Sequence, residues 1–201
     1  INVNPNISIS KVKADFIQVI DEISKDISET DLFIITTDTP ESRNFANNIS
    51  VQLKIPSVHI SLHERARSGS VYRIIPGRTG CRNCIGNGRW GYEFIPGTLD
   101  YTEAVNERDI LYQPGLDSDI CLVTMLGVKM AIETLLDFNN DSDVNDFIYW
   151  NGYPENGEPM LKLINGGIPK DDNCDICCNI KVVREPRSIK KIVFDLIHIF
   201  K

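Results

Sequence analysis

Two short cysteine pairs constrain the fold of this chain more than any other feature. Cys81 and Cys84 form one C-x-x-C pair, and Cys174 and Cys177 form a second pair about 90 residues further along. A two-residue gap lets both sulfurs of a pair turn toward one point, and two such pairs supply the four tetrahedral ligands that zinc prefers. The spacing predicts a metal ion that joins two distant parts of one fold.

The predicted zinc site is structural, because four protein sulfurs leave no coordination position for water. Cys178 is a spare thiol that could replace Cys177 as a ligand. Six cysteines in 201 residues are too sparse for a disulfide scaffold. Disulfides or a redox dithiol remain the alternative interpretation of the two pairs.

The composition is that of a globular protein with a sizeable core. Hydrophobic residues make up 42% of the chain and charged residues 24%, which argues against disorder. The net charge of −7 argues against a general binder of nucleic acids or anionic membranes, since both need a cationic face. The longest apolar run, from Ile120 to Leu136, is interrupted by polar and charged residues.

The first residues show neither a basic leader nor an apolar stretch, and they contain no initiator methionine. We therefore expect a cytoplasmic protein and a chain that is a fragment or a processed product. We find no internal repeat and no low-complexity segment.

The pattern before the first cysteine pair is that of an α/β fold. Residues Asp31 to Asp38 form a continuous apolar run that ends in a polar turn, as in a buried parallel strand. Thr39 and Pro40 can start a helix, and Ser57 to Leu62 predicts the next strand. Strand, helix and strand in about thirty residues is a crossover unit of an α/β sheet.

The rest of the chain predicts several helices and strands and one long irregular segment. Asp117 to Leu136 predicts a long helix, with Ile120, Val123, Leu126, Met130 and Leu135 at its buried positions. Residues 85–116 have no period and predict a long irregular segment. Four further elements are expected: a strand from Ile7 to Val12, a helix from Ala14 to Ile27, an extended segment from Gly69 to Ile75, and a hairpin of Phe147–Trp150 with Met160–Ile164.

Two other motifs carry no chemistry in this interpretation. Gly86 to Gly91 matches G-x-G-x-x-G but follows a cysteine pair instead of a strand, so we do not expect it to bind a nucleotide. His59 is expected to be a hydrogen-bonded core histidine, and the three histidines do not form a metal cluster.

A series of motifs resembles the ThiF/MoeB/HesA family of adenylyltransferases, which are related to ubiquitin-activating enzymes. Asp38 is followed five residues later by Arg43, then by Pro56 and by the run from Ile75 to Cys84, Ile-Pro-Gly-Arg-Thr-Gly-Cys-Arg-Asn-Cys. A crossover loop, an apolar helix and the second C-x-x-C pair follow in the family's order, and Asn4-Pro5 resembles the pair that precedes a family strand. The resemblance covers nearly the whole chain.

The resemblance implies a Rossmann-like ThiF/MoeB fold with a mixed sheet and a structural zinc site. The chain would be the second half of that fold, a single partial domain over residues 1–201, with 85–116 as the crossover loop and 174–201 as the zinc-knuckle and C-terminal segment. ATP and magnesium are the implied cofactors, and Asp38 matches the residue that helps to hold magnesium. From its position alone, Asp38 is expected to cap the helix that begins near Pro40, and only the resemblance favours the magnesium role. Arg43 is expected to be a structural or dimer-contact residue.

The implied activity is ATP-dependent activation of the C-terminal glycine of a ubiquitin-like or sulfur-carrier β-grasp protein. A homodimer or an upstream half-domain chain is a further possible partner. Three departures from the family pattern matter: the glycine-rich nucleotide loop before the Asn-Pro pair is absent, Thr39 replaces an asparagine, and residues 85–116 lack a thioester cysteine. Cys121, just beyond this segment, is expected to be a buried core cysteine, and a nucleophile is the alternative interpretation.

The missing loop predicts that the isolated chain is inactive. The rival interpretation is a catalytically inactive, zinc-stabilised protein-binding module derived from the same fold. A thiol-dependent redox protein is a third option.

Overall fold

The fold is known from a computed structural model, which describes residues 8–9, 11–19, 27, 29–37, 39–63, 66–86, 115–136, 145–152 and 161–178. Its elements in chain order are α1 (Phe16–Val19), β1 (Phe33–Ile35), α2 (Pro40–Gln52), β2 (Ser57–Leu62), β3 (Ser68–Ile74), α3 (Arg82–Gly86), α4 (Asp117–Leu136), β4 (Phe147–Asn151) and β5 (Lys162–Gly166).

The five strands form one mixed sheet in the order β1-β2-β3-β4-β5. Strand β1 pairs with β2 in parallel, and the three following pairs are antiparallel. A parallel pair needs a crossover connection, and helix α2 supplies it between β1 and β2. The mixed α/β sheet predicted from the sequence is therefore confirmed.

Local sequence signals explain where helix α2 begins and ends. The Thr39 side chain accepts a hydrogen bond from the backbone N–H of Ser42 at 3.2 Å, and Pro40 occupies the first turn. After the helix, Lys54 has a positive φ of 56°, and the N–H of Ile55 reaches back to the carbonyl of Ser50 at 2.8 Å. The helix start predicted at Thr39 and Pro40 is confirmed.

Apolar side chains pack on both faces of the sheet, because successive strand residues point to opposite sides. Helix α4 covers one face, and its cluster with the sheet consists of Val58, Ile60, Val71, Val123, Met130, Ala131 and Trp150. The opposite face carries Val51 of α2 with Tyr72, Ile74, Ile168 and four cysteines. Val71 of β3 packs in the cluster with α4, whereas Tyr72 and Ile74 of the same strand pack with the cysteines.

Helix α4 has the predicted bounds, and Val123 and Met130 are fully buried. Ile120, Leu126 and Leu135 are only half-buried, which corrects the predicted core face. The helix approaches the sheet most closely at Gly127, where a Cβ atom would lie 2.2 Å from Cδ1 of Ile60. None of the helices that the structure describes is long and apolar enough to cross a bilayer.

Three other predictions need correction or fall outside the described residues. Ser8, Ile9, Lys11 and Val12 are not in a strand, and the described part of the chain leaves the apolar Ile9 and Val12 64% and 61% exposed. Strand β5 starts at Lys162 because Leu161 has a positive φ of 61° and ends the turn. Most of the predicted helix after α1, most of the 85–116 crossover and the segment after Cys178 lie outside the described residues.

Candidate metal centre

The first cysteine pair follows a tight turn at the end of β3. The Thr79 hydroxyl accepts a hydrogen bond from the N–H of Ile75 at 2.9 Å and donates one to the carbonyl of Gly80 at 3.0 Å. Gly77 adopts a φ of 91°, which favours glycine. Backbone N–H groups of the next turn then bond to the carbonyl of Cys81, from Cys84 at 3.0 Å and from Ile85 at 3.3 Å. This turn directs both sulfurs of the pair to the same side.

The second pair sits on a turn capped by Asp171. Its carboxylate accepts a hydrogen bond from the N–H of Asn173 at 3.0 Å, and its carbonyl accepts one from the N–H of Cys174 at 3.0 Å. The N–H of Cys178 closes the next turn on the carbonyl of Cys174 at 3.1 Å. In both turns the N–H four residues after the first cysteine therefore bonds to the carbonyl of that cysteine.

The two turns meet directly through their backbones. The N–H of Gly80 donates to the carbonyl of Ile168 at 2.8 Å. A Cβ atom on Gly80 would lie 2.4 Å from the carbonyl oxygen of Pro169 and 3.0 Å from Cβ of Cys84. Only a glycine permits this approach without a shift of backbone.

The four predicted ligands, Cys81, Cys84, Cys174 and Cys177, come together in one buried cluster. Their sulfurs all lie within 4.8 Å of one another. The separations are 3.6 Å for Cys81 and Cys174, 3.4 Å for Cys84 and Cys177, and 4.0 Å for Cys81 and Cys84. Sulfurs placed tetrahedrally at about 2.3 Å from a zinc ion are about 3.8 Å apart. These four thiols could hold a metal ion of that kind.

The electrostatics of the cluster also suit a cation. The side chains are at most 3% exposed. Burial raises the pKa of Cys81 to about 11 and raises that of Cys177 as well. Burial acts in the same direction on Cys174, but hydrogen bonds from the backbone N–H groups of Cys177 and Ile176 outweigh it and lower that pKa. A bound divalent cation would supply the positive charge that buried thiolates need.

All six cysteines are free thiols in this structure. Cys178 is half-buried. The group of four sulfurs that could hold a metal ion contains Cys177 and not Cys178. Cys121 is exposed on α4, with its sulfur 3.9 Å from a carboxylate oxygen of Asp117. Its predicted burial is wrong, because the sheet-facing positions of α4 are Val123, Gly127, Met130 and Ala131.

The carboxyl end of β1 is the other region to which the sequence assigned chemistry. Asp38 lies outside the described residues. Arg43 on α2 donates through Nε to the carbonyl of Thr37, which ties the helix to the chain that follows β1. The hydroxyl of Thr37 is buried without a hydrogen-bond partner among the described residues.

His59 is the buried core histidine that the sequence predicted. It is 1% exposed, its Nε2 lies 3.2 Å from the hydroxyl of Ser57, and its ring stacks on Tyr72 with centroids 4.6 Å apart. Burial, then the charges of Arg82 and Arg43, lower its pKa to about 3. His59 is therefore a neutral side chain at pH 7.

One buried ion pair was not anticipated from the sequence. Arg73 is 1% exposed and donates from Nε to a carboxylate oxygen of Asp146 at 2.6 Å. Arg78 approaches the same oxygen at 3.4 Å. An arginine between the apolar residues Tyr72 and Ile74 of a strand was the available signal, because a buried charge requires a partner.

Comparison with known proteins finds similarity in structure alone. No protein-family model matches the chain, and no curated protein sequence matches it. Among solved structures, E. coli MccB with ATP matches with a TM-score of 0.59 and 16% identity over 87% of this chain and 46% of MccB. E. coli MccB with MccA-N7isoASN matches with a TM-score of 0.57 and 16% identity over 85% of this chain and 46% of MccB. The microcin C7 biosynthetic enzyme MccB with N-formylated MccA matches with a TM-score of 0.51 and 15% identity over 73% of this chain and 41% of that enzyme.

The chain spans less than half of the length of these MccB chains. At this level of identity the similarity concerns the fold. The structure establishes a mixed α/β sheet that carries a buried four-cysteine cluster. The chain has the fold of the matching part of MccB.

Proposed function

We propose that this chain is the metal-stabilised portion of an ATP-dependent adenylyltransferase of the ThiF/MoeB/HesA kind. The reaction would activate the C-terminal glycine of a ubiquitin-like or sulfur-carrier protein. The observation that carries the proposal is the meeting of the two cysteine turns on a sheet with the fold of MccB, whose structures include complexes with ATP and with MccA.

In this proposal the four cysteines hold a structural zinc ion. Four sulfur ligands complete a tetrahedral site, so the ion supplies folding free energy and no Lewis-acid step. Asp38 is the proposed magnesium ligand at the carboxyl end of β1, where the ligands of open α/β sheets bind. Cys121, exposed on α4, is the candidate for a thioester nucleophile.

The metal assignment is tested by elemental analysis of the purified chain. We expect about one zinc ion per chain, loss of the ion in Cys174→Ser, and no loss in Cys121→Ser, since Cys121 lies outside the cluster. A zinc content near zero in the unmodified chain, purified without chelators, would contradict the assignment.

The activity is tested by ATP–pyrophosphate exchange that depends on a β-grasp protein ending in glycine. We expect no exchange by the 201 residues alone, because they contain no glycine-rich loop before Asn4-Pro5. Exchange is expected when a segment or chain carrying that loop is present, and Asp38→Asn should reduce it at least a hundredfold. Binding of the β-grasp protein without exchange under any condition would favour the inactive binding module.

A further inference from the structure

Arg82 connects the first cysteine turn to the rest of the fold. It lies between the two cysteines of the pair in sequence and makes three hydrogen bonds. Its backbone N–H donates to Oδ1 of Asn47 at 3.0 Å, and its Nε donates to Oδ1 of Asn44 at 2.8 Å. Its Nη1 donates to the Tyr72 hydroxyl at 3.0 Å. One residue of the cysteine turn thus contacts both α2 and β3.

Helix α2 depends on the cysteine turn for its packing. Val51 is fully buried in the cluster that contains the four cysteines. Asn47 is also fully buried, and its side-chain oxygen accepts the N–H of Arg82. A buried amide oxygen that loses its donor costs free energy, so displacement of the turn destabilises the docked helix.

A second set of contacts leads from Arg82 through the sheet and back to α2. The Tyr72 ring, whose hydroxyl Arg82 contacts, stacks on His59 at an interplanar angle of 10°. His59 contacts the Ser57 hydroxyl, which lies 3.2 Å from the hydroxyl of Ser50 on α2. The turn, two strands and the helix therefore form a closed ring of contacts.

We propose that Arg82 is a positioning residue that couples metal binding at the four cysteines to the docking of helix α2 on the sheet. The inference rests on the proposed metal site and adds a consequence of its occupancy. The coupling is reciprocal, so a metal that orders the turn stabilises α2, and a docked α2 raises metal affinity. Because Arg43 of α2 bonds to Thr37 at the end of β1, metal binding also holds that strand end.

The test compares Arg82→Met with Asn83→Ala. Methionine keeps an unbranched apolar stem and removes the guanidinium, whereas Asn83 is an exposed neighbour in the same turn. Zinc affinity is measured by competition with a chromophoric chelator. We expect Arg82→Met to bind zinc about tenfold more weakly than the unmodified chain, and Asn83→Ala to bind within about twofold of it.

Hydrogen–deuterium exchange across Pro40–Gln52, with and without saturating zinc, separates coupling from simple destabilisation. In the unmodified chain and in Asn83→Ala, zinc should slow exchange of these amides at least about tenfold. Arg82→Met keeps the backbone bond to Asn47 and loses only the side-chain bonds to Asn44 and Tyr72, and with those lost the zinc effect should fall below about threefold even though the ion is bound. An undiminished zinc effect in Arg82→Met would overturn the inference.

Asn44→Ala gives a second, milder variant, because Asn44 is exposed and supplies only the acceptor for Nε of Arg82. It should weaken zinc binding in the same direction, and the double variant should be no weaker than Arg82→Met alone. If the unmodified chain binds no zinc, the proposed metal site fails and the coupling fails with it. If it binds one zinc ion but Arg82→Met and Asn83→Ala behave alike, only the coupling fails.

Discussion

Replacing Gly80 by alanine tests whether the close approach of the two cysteine turns matters for stability. The added Cβ would lie 2.4 Å from the carbonyl oxygen of Pro169, and this distance has to open to at least 3.0 Å, a shift of about 0.6 Å. The same shift takes the sulfurs of Cys81 and Cys174 from 3.6 Å to roughly 4.2 Å, beyond the tetrahedral separation of about 3.8 Å. Gly80 is not in the left-handed region, so the expected effect is steric.

The magnitude follows from two contributions. Overpacking of a buried contact costs about 1–3 kcal/mol, and loss of the hydrogen bond from Gly80 to Ile168 costs about 1 kcal/mol. The zinc-loaded Gly80→Ala chain should therefore lose about 2–4 kcal/mol of unfolding free energy, which lowers Tm by roughly 4–16 °C in a chain of this size. Urea and thermal unfolding of the zinc-loaded chain measure both quantities.

Asp172→Ala is a matched control for Gly80→Ala, because Asp172 is exposed on the opposite turn. It should change stability by less than about 0.5 kcal/mol. A Gly80→Ala chain whose unfolding free energy lies within about 0.5 kcal/mol of that of the unmodified chain would refute the close contact between the turns.

Two further predictions concern buried polar groups. His59 stays neutral when folded but takes up a proton near pH 6.5 when unfolded, so stability falls as pH drops below 6.5 and continues to fall toward its folded pKa of about 3. Between pH 7.5 and 5.5 the unmodified chain should lose about 1.4 kcal/mol more than His59→Gln in urea titrations, and equal losses would contradict this account. Asp146→Ala leaves Arg73 buried without its carboxylate, so we expect a loss of about 3–5 kcal/mol in the same assay. A loss below about 1 kcal/mol would show that this pair is not a buried ion pair in solution.

Features with a local physical signal were predictable from the sequence. The bounds of β2 and α4 and the start of α2 follow from patterns of a few residues. The cysteine cluster joins residues 93 apart, but each half of it is a short pattern with the same metal-binding chemistry. Threonine followed by proline signals a helix start because the side chain caps the helix and the ring presets φ. The cysteine cluster was predictable because C-x-x-C turns have few other uses at this spacing.

Features that depend on distant partners were not predictable. Arg73 and Asp146 are 73 residues apart, and Arg82 bonds to Asn44 and Tyr72 across 38 and 10 residues. No pattern within a segment specifies such pairs, because any of the other acidic or amide side chains could have been the partner. The face of α4 that packs on the sheet includes Gly127, which lies against Ile60 of β2, and this contact between distant residues has no local sequence signal.

The arrangement of the four cysteines bears on how the proposed metal could influence activity. All four sulfur ligands are buried and belong to the chain, so a bound ion would have no position for a substrate atom. Any influence on chemistry must pass through the protein, and α2 is the element that contacts both the cysteine cluster, through Val51, and the end of β1, through Arg43. Binding of such a metal should change activity and the hydrogen exchange of α2 in parallel. Any ion that prefers the same tetrahedral sulfur ligands should have the same effect as zinc. Cadmium or cobalt in place of zinc should therefore leave both properties nearly unchanged, whereas a catalytic ion would alter the rate with its Lewis acidity.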